Sequence, residues 1–236
     1  NGCLRDSTYQ LKDSIIIHAT ASVTNVLCYG DTTGAITLTG NSGTSPYVYR
    51  LGSGAFGTSG IFSPLPAGTH SFRIKDVDSC YLDTAITITQ PTRITSTSSI
   101  ANVTCFGLSN GAVTITAAGG SSPYQYAIGS GSFGSTNNFS GLAAGNYTLH
   151  IKDNNGCLKD TIITVTQPAV LAYSNIQITE PICNGDINGF ITITATGGTT
   201  AYSYAINTGG YVGSPTFSGL NAGTYTLHLK DANNCQ

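Results

Sequence analysis

Short runs of strictly alternating apolar and polar residues recur along the whole chain. Ala35-Ile36-Thr37-Leu38-Thr39, Ala112-Val113-Thr114-Ile115-Thr116 and Phe190-Ile191-Thr192-Ile193-Thr194 are three copies of one such run, each preceded by glycine (Gly34, Gly111, Gly189). Period-two alternation with β-branched residues marks a strand that buries one face. Turn clusters rich in Gly, Ser, Asn and Pro separate the runs roughly every 8–12 residues, the spacing of short antiparallel strands. No stretch carries a helical apolar period, so no helix is expected.

The runs belong to a longer repeat. FSGLAAGNYTLHIKDNNGC (139–157) matches FSGLNAGTYTLHLKDANNC (217–235) at 14 of 19 positions, and the first copy reads FSPLPAGTHSFRIKDVDSC (62–80). The seven cysteines fall into two periodic classes, Cys3, Cys80, Cys157, Cys235 and Cys28, Cys105, Cys183, at intervals of 77 or 78. A unit of that length exceeds a solenoid repeat of about 20–50 residues and fits a small self-contained domain. In the middle copy strand A is predicted within Ile94–Thr104, B at Ala112–Ala117 and C from Pro123 through Tyr124 and Tyr126. Short middle strands are expected in 129–138, with Phe139 and Leu142 closing them. F is predicted at Tyr147–Lys152 and G at Asp160–Thr166, before Gln167-Pro168 ends the ladder. Seven such strands read as an all-β, immunoglobulin-like (PKD-like) antiparallel β-sandwich, in tandem. Leu-x-Ala-Gly-x-Tyr before strand F resembles the tyrosine corner of such sandwiches. His70 stands at that tyrosine in the first copy, where a weaker corner is expected.

The expected domains are a terminal strand of an upstream repeat (1–13), complete repeats at 14–91 and 92–168, and a third repeat at 169–236 without its last strand. Both ends fall at one phase of the repeat and the chain begins Asn1-Gly2-Cys3, so an excerpt of a longer array is the simple expectation. The sharper one is that residues 1–13 complete the third repeat of a neighbouring copy.

Composition narrows the function. Charged residues are 8% of the chain, against about 25% in an ordinary soluble domain, and the net charge is −2. Nucleic-acid binding needs a basic patch and is not expected. Nor is a membrane span expected in this segment, since no apolar run nears the length of a spanning helix. Seven cysteines without a Cys-x-x-Cys pair point to an oxidising, extracellular setting. Two pairings are open. Cys28–Cys80, Cys105–Cys157 and Cys183–Cys235 would close each repeat on itself. In a sandwich, however, the first cysteine of each pair lies at the A–B turn and the second at the F–G turn. A strand of about 20 Å separates those turns, whereas bonded cysteines need Cα atoms about 5.5–6 Å apart. Topology therefore favours Cys28–Cys157 and Cys105–Cys235 between consecutive repeats, with Cys3, Cys80 and Cys183 pairing elsewhere.

The pattern Cys-x-Gly-(x)3-Gly, Gly-Gly-x-x-Pro-Tyr-x-Tyr, Leu-x-Ala-Gly-x-Tyr-x-Leu-x-x-Lys-Asp-x-x-x-Cys and Thr-Gln-Pro resembles the SprB repeat of Bacteroidota cell-surface proteins. Cys105-Phe106-Gly107, Gly111, Pro123-Tyr124-Gln125-Tyr126, Leu142 to Tyr147, Lys152-Asp153, Cys157 and Gln167-Pro168 carry it in copy two, while Ala201 replaces the proline in copy three. The resemblance implies large adhesins exported by the type IX system, some serving gliding motility. It also implies O-glycosylation at Asp-(Ser/Thr)-(apolar or Thr), matched at Ser7, Ser14, Thr32, Thr84 and Thr161.

No catalytic constellation is present, so no enzyme is expected. Gly52-Ser53-Gly54 and Gly129-Ser130-Gly131 read as turns. Asp76, Asp153 and Asp231 recur at the F–G turn, where turn capping is the simpler reading; no cofactor is expected, with calcium the alternative. Lys75, Lys152, Lys230, Arg73, His150 and His228 on strand F form a basic stripe or an ordinary solvated face. Tyr124, Tyr126, Tyr202 and Tyr204 face either a glycan or the core. The reading is an adhesive, structural repeat segment of a surface protein or filament. It would act as a stalk whose partners are adjacent repeats, with surface glycans or laterally placed copies as further ones. A carbohydrate-binding module array is the alternative.

Overall fold

The computed structural model describes Arg5, Thr8, Tyr9 and residues 16–236. Most of the expected strand at 1–13, with Cys3 and the candidate glycosylation sites Ser7 and Ser14, lies outside the described residues. Every regular element among the described residues is a strand.

Three sets of strands recur in one order. The first comprises β1 (Ala19–Thr24), β2 (Gly34–Gly40), β3 (Val48–Leu51), β4 (Ile61–Leu65), β5 (Gly68–Lys75) and β6 (Tyr81–Ile88). The second comprises β7 (Thr95–Ala101), β8 (Gly111–Ala118), β9 (Gln125–Ile128), β10 (Asn138–Leu142), β11 (Gly145–Lys152) and β12 (Leu158–Val165). The third comprises β13 (Ala172–Thr179), β14 (Gly189–Thr196), β15 (Ser203–Ile206), β16 (Thr216–Leu220) and β17 (Leu227–Lys230). Each set makes two antiparallel sheets: β1-β2-β4 with β3-β5-β6, β7-β8-β10 with β9-β11-β12, and β13-β14-β16 with β15-β17. This is the immunoglobulin-like sandwich expected of the alternation.

The alternating runs supply the core. In the first set Ile36, Leu38 and Leu65 of one sheet meet Tyr49, Phe72, Ile74 and Ile88 of the other. Val113, Ile115, Tyr126, Leu149, Ile151, Ile163 and Val165 are the buried counterparts in the second, and Ile191, Ile193, Tyr204 and Leu229 in the third. The glycine that opens each B strand is a packing requirement. A Cβ at Gly111 would lie 2.7 Å from Val165 Cγ1 and 2.9 Å from the Leu142 carbonyl oxygen.

Two expectations change. Among the described residues each set has at most six strands rather than seven, because 129–137 forms no strand. A single bridge, Tyr126 to Gly134, stands in its place, as Tyr49 to Gly57 and Tyr204 to Val212 do in the other sets. A Gly/Ser-rich stretch has few side chains to bury, and turn bonds such as Gly131 N–H to Ile128 O (3.0 Å) occupy its backbone instead. The corner at His70 also keeps its hydrogen bond. Tyr147 and Tyr225 hydroxyls donate to Ala143 O and Asn221 O, each at 3.0 Å, and His70 Nε2 reaches Pro66 O at 2.9 Å in the same place.

By contact density the chain divides into two compact units. One is Asn1–Ile94 with Gly119–Ser122 and Asp153–Cys157; the other is Thr95–Ala118, Pro123–Lys152 and Leu158–Gln236. Two short turns of the second repeat thus cluster with the first.

The inward and outward faces of neighbouring strands β11 and β12 should differ sharply in cost. Leu149→Ala, at a fully buried position, is expected to lower the unfolding free energy by about 2–5 kcal/mol in urea denaturation. Ile162→Ala, 71% exposed, should change it by no more than about 0.5 kcal/mol.

Candidate functional site

The features that recur in every repeat and combine buried charge with cysteine lie at the F–G turn. Asp153 follows β11 directly and is 3% exposed. Its Oδ1 accepts the N–H groups of Asn155 and Cys157, both at 2.9 Å, and its Oδ2 accepts that of Ser121 at 2.9 Å. Its own N–H donates to Cys157 O at 3.0 Å, closing the turn. Asp231 repeats the arrangement with Asn233, Cys235 and Thr199 at 2.8, 2.9 and 2.8 Å. Asp76 does so with Cys80 at 2.9 Å and Thr44 at 3.2 Å. A buried carboxylate is tolerated where several charge-assisted hydrogen bonds replace its water.

A glycine admits each carboxylate. Gly120 has φ +59°, and a Cβ there would sit 2.6 Å from Asp153 Oδ2; Gly198 and Gly43 stand in the same relation to Asp231 and Asp76, at 2.8 and 2.9 Å. The sequence carries this pairing at one constant offset, Gly43 to Asp76, Gly120 to Asp153 and Gly198 to Asp231. Read as turn residues alone, the glycines concealed it.

The turn so fixed presents its cysteine. Cys157 is bonded to Cys28 at a sequence separation of 129, with Cα atoms 5.5 Å apart, and Cys235 to Cys105 at a separation of 130, with Cα atoms 5.6 Å apart. The pairs Cys28–Cys80, Cys105–Cys157 and Cys183–Cys235 are therefore not formed: Cys28 lies between β1 and β2, Cys80 between β5 and β6, and a strand length separates such turns. Among the described residues Cys80 and Cys183 have no disulfide partner. Beside each bond an asparagine closes the contact, Asn155 Nδ2 donating to Leu27 O and Asn233 Nδ2 to Thr104 O, both at 3.0 Å. The receiving turn is held from the end of strand G. Gly30 N–H donates to Gln90 Oε1 (2.7 Å) and Gly107 N–H to Gln167 Oε1 (2.8 Å), which gives the Thr-Gln-Pro signature a physical role.

The other candidates disperse. Tyr126 and Tyr204 are 8% and 7% exposed core residues, not ligand-facing, because strand C alternation turns them inward. Tyr202 is half-buried and its hydroxyl donates to Gly197 O at 2.7 Å; Tyr124 is half-buried. Thr32 is exposed, but Thr84 and Thr161 are half-buried on strand G, opposite Phe72 and Leu149. The basic stripe is largely partnered. His150 Nδ1 lies 2.7 Å from Asp160 Oδ1, Arg73 binds Asp83 through two contacts of 2.6 Å, Lys152 lies over Phe133 at 4.4 Å and Lys230 over Tyr211 at 4.6 Å. The Arg73 guanidinium holds the Asp83 carboxyl below the ordinary range. Its contribution is present above the unfolded-state pKa of about 3.9 and is lost as pH falls through the lowered folded value.

Removing a turn carboxylate leaves three N–H groups without an acceptor. Asp153→Ala and Asp231→Ala should each cost about 3 kcal/mol or more in urea unfolding of the oxidised chain. Asp160→Ala, on an exposed strand face, should cost about 1 kcal/mol or less.

The SprB repeat is matched three times, at residues 20–56, 97–133 and 175–210. No curated protein matches the chain. Among solved structures it is similar to the C-terminal 282-residue fragment of intimin, crystallised with the intimin-binding domain of the translocated intimin receptor. The identity is 16%, the match covers 69% of this chain and 67% of that one, and the TM-score is 0.35. The three SprB matches each begin in the first strand of a set, one period apart, and the chain carries three SprB repeats.

Proposed function

We propose that this chain is a tension-bearing segment of an extracellular surface adhesin, a stalk in which each repeat is stapled covalently to the next. The family supports a repeat segment of an adhesin-like surface protein, and two disulfides suit an oxidising exterior. Among the described residues no helix is long and apolar enough to cross a membrane. Export by the type IX system and service in gliding rest on the family resemblance and form part of the same proposal. A glycan-binding array built on strand C is less well supported, since Tyr126 and Tyr204 are committed to the core.

The crossing of the two bonds carries the proposal. Cys105 lies inside the loop closed by Cys28–Cys157, and Cys157 inside the loop closed by Cys105–Cys235. The backbone route from Cys28 to Cys235 takes in nearly the whole described chain. A shorter covalent path runs through one bond, back along the segment from Cys157 to Cys105, and through the other bond. Tension applied at the ends is therefore borne by the short route even when the sandwiches unfold. That property suits a tether and serves no purpose in a soluble catalyst.

Single-molecule pulling by the termini of the full chain tests this. At about 3.5 Å per residue, the oxidised Cys28–Cys235 span should extend to about 180 Å and the reduced span to about 720 Å. Equal extension with and without reductant would end the tether reading.

A further inference from the structure

The first repeat carries a row of charges that the others lack. Arg50 on β3 lies directly opposite Arg73 on β5, and Arg73 directly opposite Asp83 on β6. Like charges facing each other across a sheet destabilise it. The same row in the second repeat is Ala127, His150 and Asp160, and in the third Ala205 faces His228. Only the first repeat places a second full cation in the row. The single carboxylate serves both cations unequally: Asp83 engages Arg73 Nε and Nη2 with both oxygens, at 2.6 Å each, and meets Arg50 through its charge alone.

Among the described residues Arg50 has no carboxylate of its own in an ion pair. Its Nε is buried without a hydrogen-bond partner, an unusual state for a polar atom in a folded protein. Its guanidinium carbon lies 4.9 Å from the Phe56 ring centroid, and Lys75 Nζ lies 5.6 Å from the same ring. Arg50, Arg73 and Lys75 are three of only nine Lys and Arg residues in the chain, so positive charge is concentrated here. Arg50, Gly52, Ser71, Arg73 and Asp83 line an open cavity of about 480 Å³. Two exposed aromatic rings belong to the same charged group: Tyr81, 61% exposed, lies under the Arg73 guanidinium, and Phe56, 38% exposed, under that of Arg50.

A local rule broken with only an aromatic ring and one shared carboxylate to offset it points to a ligand outside the fold. We propose that Arg50 anchors a binding site for a carboxylated sugar, a uronic-acid unit of an acidic polysaccharide. The terminal Nη1 and Nη2 groups, not the buried Nε, supply the planar pair of donors that matches a carboxylate in a way an ammonium does not. Exposed rings suit the C–H face of a sugar rather than a bare inorganic anion. The site is independent of the tether: its loss leaves both disulfides and their turns untouched.

The test is calorimetric titration of the oxidised full chain with hexameric oligogalacturonate, a neutral galacto-oligosaccharide of equal length, and inorganic sulfate. Oligogalacturonate should bind and the neutral oligomer should not. Arg50→Ala should weaken binding by about tenfold or more, and Arg50→Lys should do the same because it keeps the charge and loses the fork. Lys152→Ala, in the second repeat, should leave binding unchanged, and thermal melts should show all three variants folded. Absent binding of oligogalacturonate, or Arg50→Lys binding as well as the parent, would overturn the site. Sulfate binding as tightly as oligogalacturonate would overturn its assignment to a sugar.

Discussion

One buried aspartate per repeat organises the end of each sandwich. Asp153 is surrounded by N–H groups from its own turn and from the Gly119–Ser122 loop, and it is tolerated inside the protein because those dipoles replace water. The consequences spread outward from that carboxylate. The loop before strand C must carry a glycine at the point of closest approach. The turn after strand F must bring the cysteine N–H back to the carboxylate, which fixes where the cysteine sits. A disulfide tolerates little error in Cα separation, so a turn with several accessible shapes would not present Cys157 to Cys28 reproducibly. Electrostatics inside each repeat thereby sets the covalent chemistry that joins one repeat to another.

Much of this was legible in the residues. Alternation at Ile36-Leu38, Val113-Ile115 and Ile191-Ile193 marked the B strands because a half-buried strand has no other way to arrange its side chains. The regular return of the two cysteine classes exposed the tandem design, and Leu-x-Ala-Gly-x-Tyr marked the corner. Cysteine spacing alone left two pairings open, since equal intervals fit both. The position of each turn relative to the strands distinguishes them, and that is a property of topology.

Other features were hidden for physical reasons. Gly and Ser are compatible with strand or turn, so the missing middle strand is decided only by the lack of side chains to bury. Strand C tyrosines look alike in a sequence whether they face a ligand or a core; at Tyr126 and Tyr204 the sandwich interior wins. Each turn carboxylate and its glycine belong to different loops, and their relation appears only when the strands between them are laid side by side. Arg50 escaped notice because its significance lies in Arg73 opposite it, on a different strand.

Low charge and abundant Gly, Ser and Thr now have a consistent meaning. A chain whose repeats are tied by disulfides does not need salt-bridge networks to hold consecutive domains, and its exposed strand faces are left hydroxyl-rich. The cysteine connectivity is the claim on which the rest turns. Proteolysis of the unreduced, alkylated chain followed by mass spectrometry reads it directly. The account predicts linked peptides joining Cys28 to Cys157 and Cys105 to Cys235; a peptide joining Cys105 to Cys157, or Cys28 to Cys80, would contradict it.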